Sequence, residues 1–180
     1  MKASGKALPA ESLQAEQEHT AGRDKPATDV GEKILQTEMP EAPDTIDERI
    51  VRFLKRHHVL TLATVSDGAP YCSNAFYCYD RERNLIIFTS DASTRHAQEM
   101  LCNPQVAASV VLETKIVGRV QGLQLCGKAA RADEAARRAY LKRFPYAALA
   151  ELTLWAVEPY FMKLTDNTLG FGKNLIWNNR

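Results

Sequence analysis

The stretch Leu60-Thr-Leu-Ala-Thr-Val-Ser-Asp-Gly-Ala-Pro-Tyr-Cys-Ser-Asn-Ala-Phe-Tyr77 decides the fold. Val59 to Val65 is rich in β-branched residues, which suit a pleated, half-buried surface. Ser66-Asp67-Gly68 is a hairpin turn signal, because Asp and Gly tolerate positive φ. Tyr71 to Tyr79 reads as the returning strand, with amphipathic alternation. Two consecutive strands joined by a tight turn predict an antiparallel sheet.

Working outward, Leu85 to Thr89 reads as a third strand, Val106 to Leu112 as a fourth and Val120 to Arg131 as a long fifth. A sixth is expected near Tyr160 to Thr165. Gly122 and Gly127 interrupt the fifth, as in strands that bend or bulge to close a barrel. Helices fall between some strands. Thr45-Ile-Asp-Glu48 matches a capping box and predicts a helix from Thr45 to about His57, with Ile46, Ile50, Val51 and Leu54 on one face. Asp133 predicts a second cap, with Ala136, Tyr140 and Phe144 on one face and Pro145 as the stop. Consecutive strands without strict βαβ alternation, and no G-x-G-x-x-G, argue for a mainly β barrel with flanking helices and against a Rossmann arrangement.

The chemistry concentrates in Phe88-Thr-Ser-Asp-Ala-Ser-Thr-Arg-His96. A strand ends in hydroxyl residues and leads into a helix carrying Ala97, Met100 and Leu101 on one face. Ser93 is the expected N-cap, which places Thr94, Arg95 and His96 in the first turn. Free N–H groups and the positive end of the helix dipole, joined by a hydroxyl, a guanidinium and an imidazole, suit a phosphate. Ser and Thr at such a turn also serve simply as caps.

Residues 1–44 contain none of the 14 aromatic residues, half of the eight prolines, and five Lys/Arg against nine Asp/Glu. Such a segment buries too little apolar area to offset its ordering entropy, and a disordered extension is expected there. The folded domain is expected over 45–180. Its 18 basic and 13 acidic residues, within a chain of net charge +1, do not imply a large nucleic-acid footprint. No apolar run reaches the length of a membrane span, and no secretory signal is recognisable. The four scattered cysteines suit reduced thiols in a cytoplasmic protein, and their spacing does not suggest a metal site.

The order of "LTLATVSDGAPYCSNAFY", "LIIFTSDASTRHAQEMLCNPQVAASVV" and "VQGLQLCGKAAR" resembles the six-stranded antiparallel FMN-binding split barrel of the pyridoxamine 5'-phosphate oxidase-like superfamily. The ending "TDNTLGFGKNLIW" narrows the likeness to bacterial proteins of the YhbP type. The resemblance covers about residues 45–178. It implies a homodimer with FMN in clefts between subunits, and an oxidoreductase acting on a small substrate.

On that resemblance Thr89, Ser90, Thr94, Arg95 and His96 hold the FMN phosphate. The family often has Ser-Arg-Lys where this chain has Thr94-Arg95-His96. A histidine in place of lysine implies phosphate affinity that falls as pH rises. Asn74 would reach the edge of the flavin ring, or else face solvent. Gln121 or Gln124 would serve the same edge or the ribityl chain. The two have opposite parity along the strand, so only one can do so unless Gly122 forms a bulge. Lys173 and Trp177 are candidates for contact from the other subunit, with Phe171 and Trp177 also suited to interface packing. The arginine-rich strand and C-terminal arginine–histidine segment that hold substrate in true pyridoxamine phosphate oxidases are absent. No acid–base pair or nucleophile–histidine arrangement stands out, which suits a flavin carrying the chemistry. Three alternatives stand beside the oxidoreductase: a non-catalytic flavin-binding or regulatory module, a haem-binding split barrel using His57, His58 or His96, and an apo scaffold that no longer binds cofactor, which turns on His96. Arg137, Arg138, Lys142 and Arg143 read as a solvated helix face.

Overall fold

The computed structural model describes residues 45–170 and 173–179. All lie in the second of the chain's two units, Met39–Arg180. The expected disordered extension over 1–44 lies outside the described residues, as does Phe171.

Helix α1 runs Glu48–Arg56 and buries Ile50, Val51, Phe53 and Leu54. It starts later than the capping box predicts, with Asp47 and not Thr45 as N-cap. The Asp47 carboxylate accepts the Arg49 backbone N–H at 2.8 Å and also the Arg49 Nε and Nη2 at 3.0 and 2.7 Å, so it outcompetes a lone hydroxyl.

Strands β1 (Val59–Ser66) and β2 (Ala69–Asp80) pair in register from Val59↔Phe76 to Ser66↔Ala69. Their turn has Asp67 at φ 51 and Gly68 at φ 77, both left-handed, as a tight hairpin requires. Strand β3 (Leu85–Thr89) pairs with β2 from Asp80↔Leu85 to Tyr77↔Phe88. Helix α2 (Arg95–Cys102) leads to β4 (Gln105–Leu112), which lies beside β1 and pairs with β5 (Gln121–Arg131). Asp133 caps α3 (Glu134–Arg143), accepting the Ala136 N–H at 2.7 Å, and the helix stops before Pro145 as expected. Strand β6 is Leu154–Asp166 and β7 is Asn174–Asn178.

The sheet order is β3-β2-β1-β4-β5-β6-β7, and a β3–β6 pairing closes the first six strands into an antiparallel ring. The expected six-stranded barrel is present, with β7 as an additional strand. Strand β6 is twice as long as expected; it pairs with β5 along one edge and serves two partners on the other. Its Leu154–Val157 end pairs with β3 and its Phe161–Thr165 end with β7. Between them Tyr160 is the extra residue of a bulge, since Cys126 pairs with Phe161 but Gly127 pairs with Pro159. Gly127 is required there: a Cβ would sit 2.6 Å from both the Glu158 carbonyl oxygen and Val157 Cγ1. Gly122 forms no bulge; it pairs with Val111 and Thr165 in register.

Tyr77, Phe88, Leu123, Trp155 and Met162 are fully buried in the barrel. Each such side chain contributes about 1.5–3 kcal/mol relative to exposure. The Tyr77 hydroxyl donates to the Leu54 carbonyl at 2.9 Å and pins α1 to the barrel. By contrast, the outer face of β2-β1-β4 leaves Val59, Val65, Phe76 and Val111 exposed, with Phe76 at 55% and Val111 at 65%. Ala63 and Ala107 lie between them on that face, paired across β1 and β4. No helix among the described residues is long and apolar enough to cross a membrane.

Candidate functional site

Strand β3 ends at a fixed point. The Ser90 N–H and the Thr89 hydroxyl both donate to the Thr153 carbonyl, at 3.0 and 3.1 Å, and Trp155 Nε1 donates to the Ser90 carbonyl at 3.0 Å. The following turn is organised by Asp91. Its carboxylate accepts from Ser93 N and Ser93 Oγ, both at 2.7 Å, and its carbonyl accepts from Thr94 N at 3.1 Å and Thr94 Oγ1 at 2.8 Å. The expected Ser93 cap is therefore displaced by one residue. Ser93 spends its hydroxyl on Asp91, and Thr94 occupies the N-cap position with no side-chain cap bond to the helix. The first-turn N–H groups of α2 stay open to a ligand.

Around that turn lie two small networks. Ser90 Oγ sits 2.9 Å from Thr94 Oγ1 and 2.5 Å from His96 Nε2, with Thr94 Oγ1 3.3 Å from the same nitrogen. Burial holds the His96 pKa below its ordinary value, opposed by the negative charge of Glu99. Arg95 donates from Nε to Glu99 Oε1 at 2.8 Å, and its Cζ lies 4.5 Å from the Tyr71 ring centroid. Glu99 is buried, and its second oxygen accepts from Thr64 Oγ1 at 2.5 Å. The Thr64 and Arg95 hydrogen bonds hold the Glu99 carboxyl below the usual range. The Tyr71 ring also lies nearly parallel to His96, with centroids 6.5 Å apart.

This cluster faces a gap in the barrel. Strand β2 pairs with β3 only from Tyr77 onward, whereas residues 69–76 pair with β1 alone. Their other edge looks toward the 90–96 turn. Ser73, two residues along from Tyr71 on the same side of the strand, has its Oγ buried without a hydrogen-bond partner. Asn74 lies on the outer side, exposed, with Oδ1 accepting from Thr61 Oγ1 at 2.8 Å.

Thr89, Ser90, Thr94, Arg95 and His96 are thus gathered at one strand end, with Asn74 on the neighbouring strand. The other candidates are not. Gln124 is exposed on the outer face, in a transverse row Asn74–Thr61–Ser109–Gln124–Lys163. Three strand spacings separate Asn74 from Gln124, about 14 Å. Gln121 has the opposite parity, as expected. Its Nε2 donates to Asp166 at 3.0 Å, and it lines a cavity of about 270 Å³ with Arg49, Arg52 and Arg56. Lys173 is exposed in the β6–β7 connection. Trp177 is 5% exposed, its ring buried in the core beside Met162. Sequence reasoning missed Glu99, Thr64 and Tyr71; the i,i+4 spacing of Arg95 and Glu99 was the available signal for the first.

A phosphate-bearing cofactor such as FMN fits the residues at the turn. Open N–H groups, two hydroxyls and a half-exposed guanidinium lie together at the turn, and the partnerless Ser73 hydroxyl lies on the stretch of β2 that lacks a second partner strand.

Comparison with known proteins agrees with this architecture. A UPF0306 protein of Yersinia pestis is 37% identical over 132 residues, covering 71% of this chain and 90% of that protein. Among solved structures, a heme binding protein from Mycobacterium smegmatis superposes with a TM-score of 0.61 at 17% identity, over 76% of this chain and 60% of that one. A FAD-binding protein from Mesorhizobium loti gives 0.57 at 15% identity, over 67% and 92%. The family model described as pyridoxamine 5'-phosphate oxidase matches residues 46–160, and the chain belongs to that family.

Proposed function

We propose that this protein binds FMN as a homodimer and is a flavin-dependent oxidoreductase acting on a small substrate. The observation that carries the reading is the uncapped first turn of α2, flanked by Ser90, Thr94 and the Arg95 guanidinium beside the unpaired edge of β2. Arg95 and the turn bind the phosphate. The β2 edge with Asn74 orients the ring. When bound, the flavin supplies hydride and one-electron transfer. The uncovered apolar face of β2-β1-β4 supports a second copy that covers it. The four unpaired thiols support a cytoplasmic location.

The test is the visible spectrum of the purified protein, the mass of the released ligand and the sedimentation of the holoprotein. A flavin spectrum with one FMN per chain in a dimer supports the reading. A colourless protein that takes up no added FMN rejects it. Reduction by NADH or NADPH with turnover on an acceptor distinguishes an oxidoreductase from a non-catalytic flavin module.

A haem reading has one observation in its favour. The His58 ring stacks on the exposed Phe76, with centroids 5.7 Å apart and planes 9° from parallel, beside the exposed Val59. A Soret band would establish it.

A further inference from the structure

Glu99 is the one buried carboxylate on α2, in a layer shared with Ala97, Met100 and Thr64. Burying a carboxylate is costly unless its oxygens are hydrogen-bonded. Here Oε2 takes the Thr64 hydroxyl from β1 and Oε1 takes Arg95 Nε from its own helix. The Glu99 side chain is 8% exposed, while that of Arg95 is 55% exposed. This differs from a surface i,i+4 pair, in which both ends are solvated and loosely ordered. The inner end is fixed to a different element, and only the cation reaches solvent.

The guanidinium is restrained once more. Tyr71 lies under its face, with the Arg95 Cζ 4.5 Å from the ring centroid. Its Nε is occupied by Glu99, and Nη1 and Nη2 have no partner among the described residues. What remains is a single edge, the two terminal nitrogens side by side. That edge matches two oxygens of one phosphate.

We infer that Glu99 and Tyr71 are positioning residues that clamp Arg95, so that the fork meets the cofactor phosphate end-on through Nη1 and Nη2. This rests on the phosphate-cradle reading above. The clamp orders a rotamer-rich side chain during folding, so that ordering no longer opposes binding. It also carries a charge cost. The Glu99 carboxylate attenuates the field of Arg95, so removal by charge alone would tighten phosphate binding. Positioning and charge attenuation therefore predict opposite signs.

The experiment is a double-mutant cycle on FMN affinity, read by quenching of flavin fluorescence, with Glu99→Ala, Arg95→Ala and the pair. The clamp predicts that Glu99→Ala weakens FMN binding about tenfold in the wild-type background and less than about twofold in the Arg95→Ala background. Glu99→Gln keeps an acceptor oxygen and should stay within about threefold of wild type. Should Glu99→Ala fail to fold, Tyr71→Leu reads the same clamp, with a loss of about fivefold that also vanishes without Arg95. Tighter binding in Glu99→Ala, or equal losses with and without Arg95, would overturn the clamp and leave the flavin reading intact. A wild-type protein that binds neither FMN nor inorganic phosphate would overturn both.

Discussion

Ser90 Oγ and His96 Nε2 lie 2.5 Å apart, and the imidazole is partly buried at the turn proposed to hold phosphate. With His96 neutral and its proton on Nδ1, Nε2 accepts the Ser90 hydroxyl hydrogen, which then points away from any ligand. With His96 protonated, Nε2 donates to Ser90 Oγ, and that hydroxyl is released toward the phosphate. The protonated form is therefore the tighter binder. Burial holds the free protein's His96 below its ordinary pKa, and a bound phosphate dianion raises it. FMN affinity should be highest below pH 6.5 and fall by at most about tenfold per pH unit as pH rises between the free and bound values. Calorimetric titration from pH 5.5 to 8 measures this, and His96→Asn should flatten the profile.

The same histidine has the reverse effect on the unliganded fold. A pKa depressed on folding means that the unfolded chain binds more protons near pH 6, so stability is present above pH 6.5 and is lost as pH falls through the folded value. His57 adds to this, its pKa lowered first by burial and then by Arg56 and His58. Thermal melts of the apoprotein should show a lower Tm at pH 5 than at pH 7, with the loss reduced in a His57→Phe, His96→Asn double variant.

Arg95→Ala removes the charge-assisted fork. We expect a loss of about 1.5–3 kcal/mol in FMN binding with an unchanged far-ultraviolet spectrum. Equilibrium dialysis gives the affinity. A loss under threefold would place the phosphate elsewhere.

Ala107 sits opposite Ala63 and Cys126 on the exposed sheet face. In the proposed dimer a carboxylate there would be desolvated by the second copy and left without a partner. Ala107→Glu should yield a monomer by sedimentation velocity and lose flavin in the same step, with the protomer still folded. Retained flavin on a monomer would show that one barrel holds the whole site.

Gly127→Ala places a methyl group against backbone that cannot yield without moving β6. The expected destabilisation is about 1–3 kcal/mol, seen as a lower urea midpoint with an unaltered m-value.

Much of the ring was legible because its strands are short β-branched runs separated by turn residues. Leu60 to Tyr77 and Leu85 to Thr89 read directly. Strand β6 was read from about Tyr160, because Pro159 ordinarily ends a strand; the bulge at Tyr160 accommodates it. Strand β7 was missed, since its five residues follow a glycine-rich turn and only Trp177 is fully inward. The expected caps Thr45 and Ser93 fall two residues and one residue early. Asp47 takes the cap position ahead of Thr45, and Asp91 engages the Ser93 hydroxyl so that Thr94 occupies the other; neither competition is visible to spacing alone. At the site, the turn from Thr89 to His96 was legible because its neighbours are sequential. Glu99, Thr64 and Tyr71 converge only when α2 lies across β1 and β2. The parity of Gln121 and Gln124 was right, but their distance from the turn needed the strand order.

The pairing of β3 with β6 joins Thr89 to Thr153 across 64 residues, whereas the hairpins are local. During synthesis from the N-terminus, β1 to β5 emerge with the ring still open. Ser90 then has neither the Thr153 carbonyl nor the Trp155 indole to hold it. Long-range strand pairing forms late, after loop closure has been overcome. The Ser90 turn is consequently among the last parts of the nascent chain to acquire its shape, and under the proposed function capture of flavin would report that the barrel has closed.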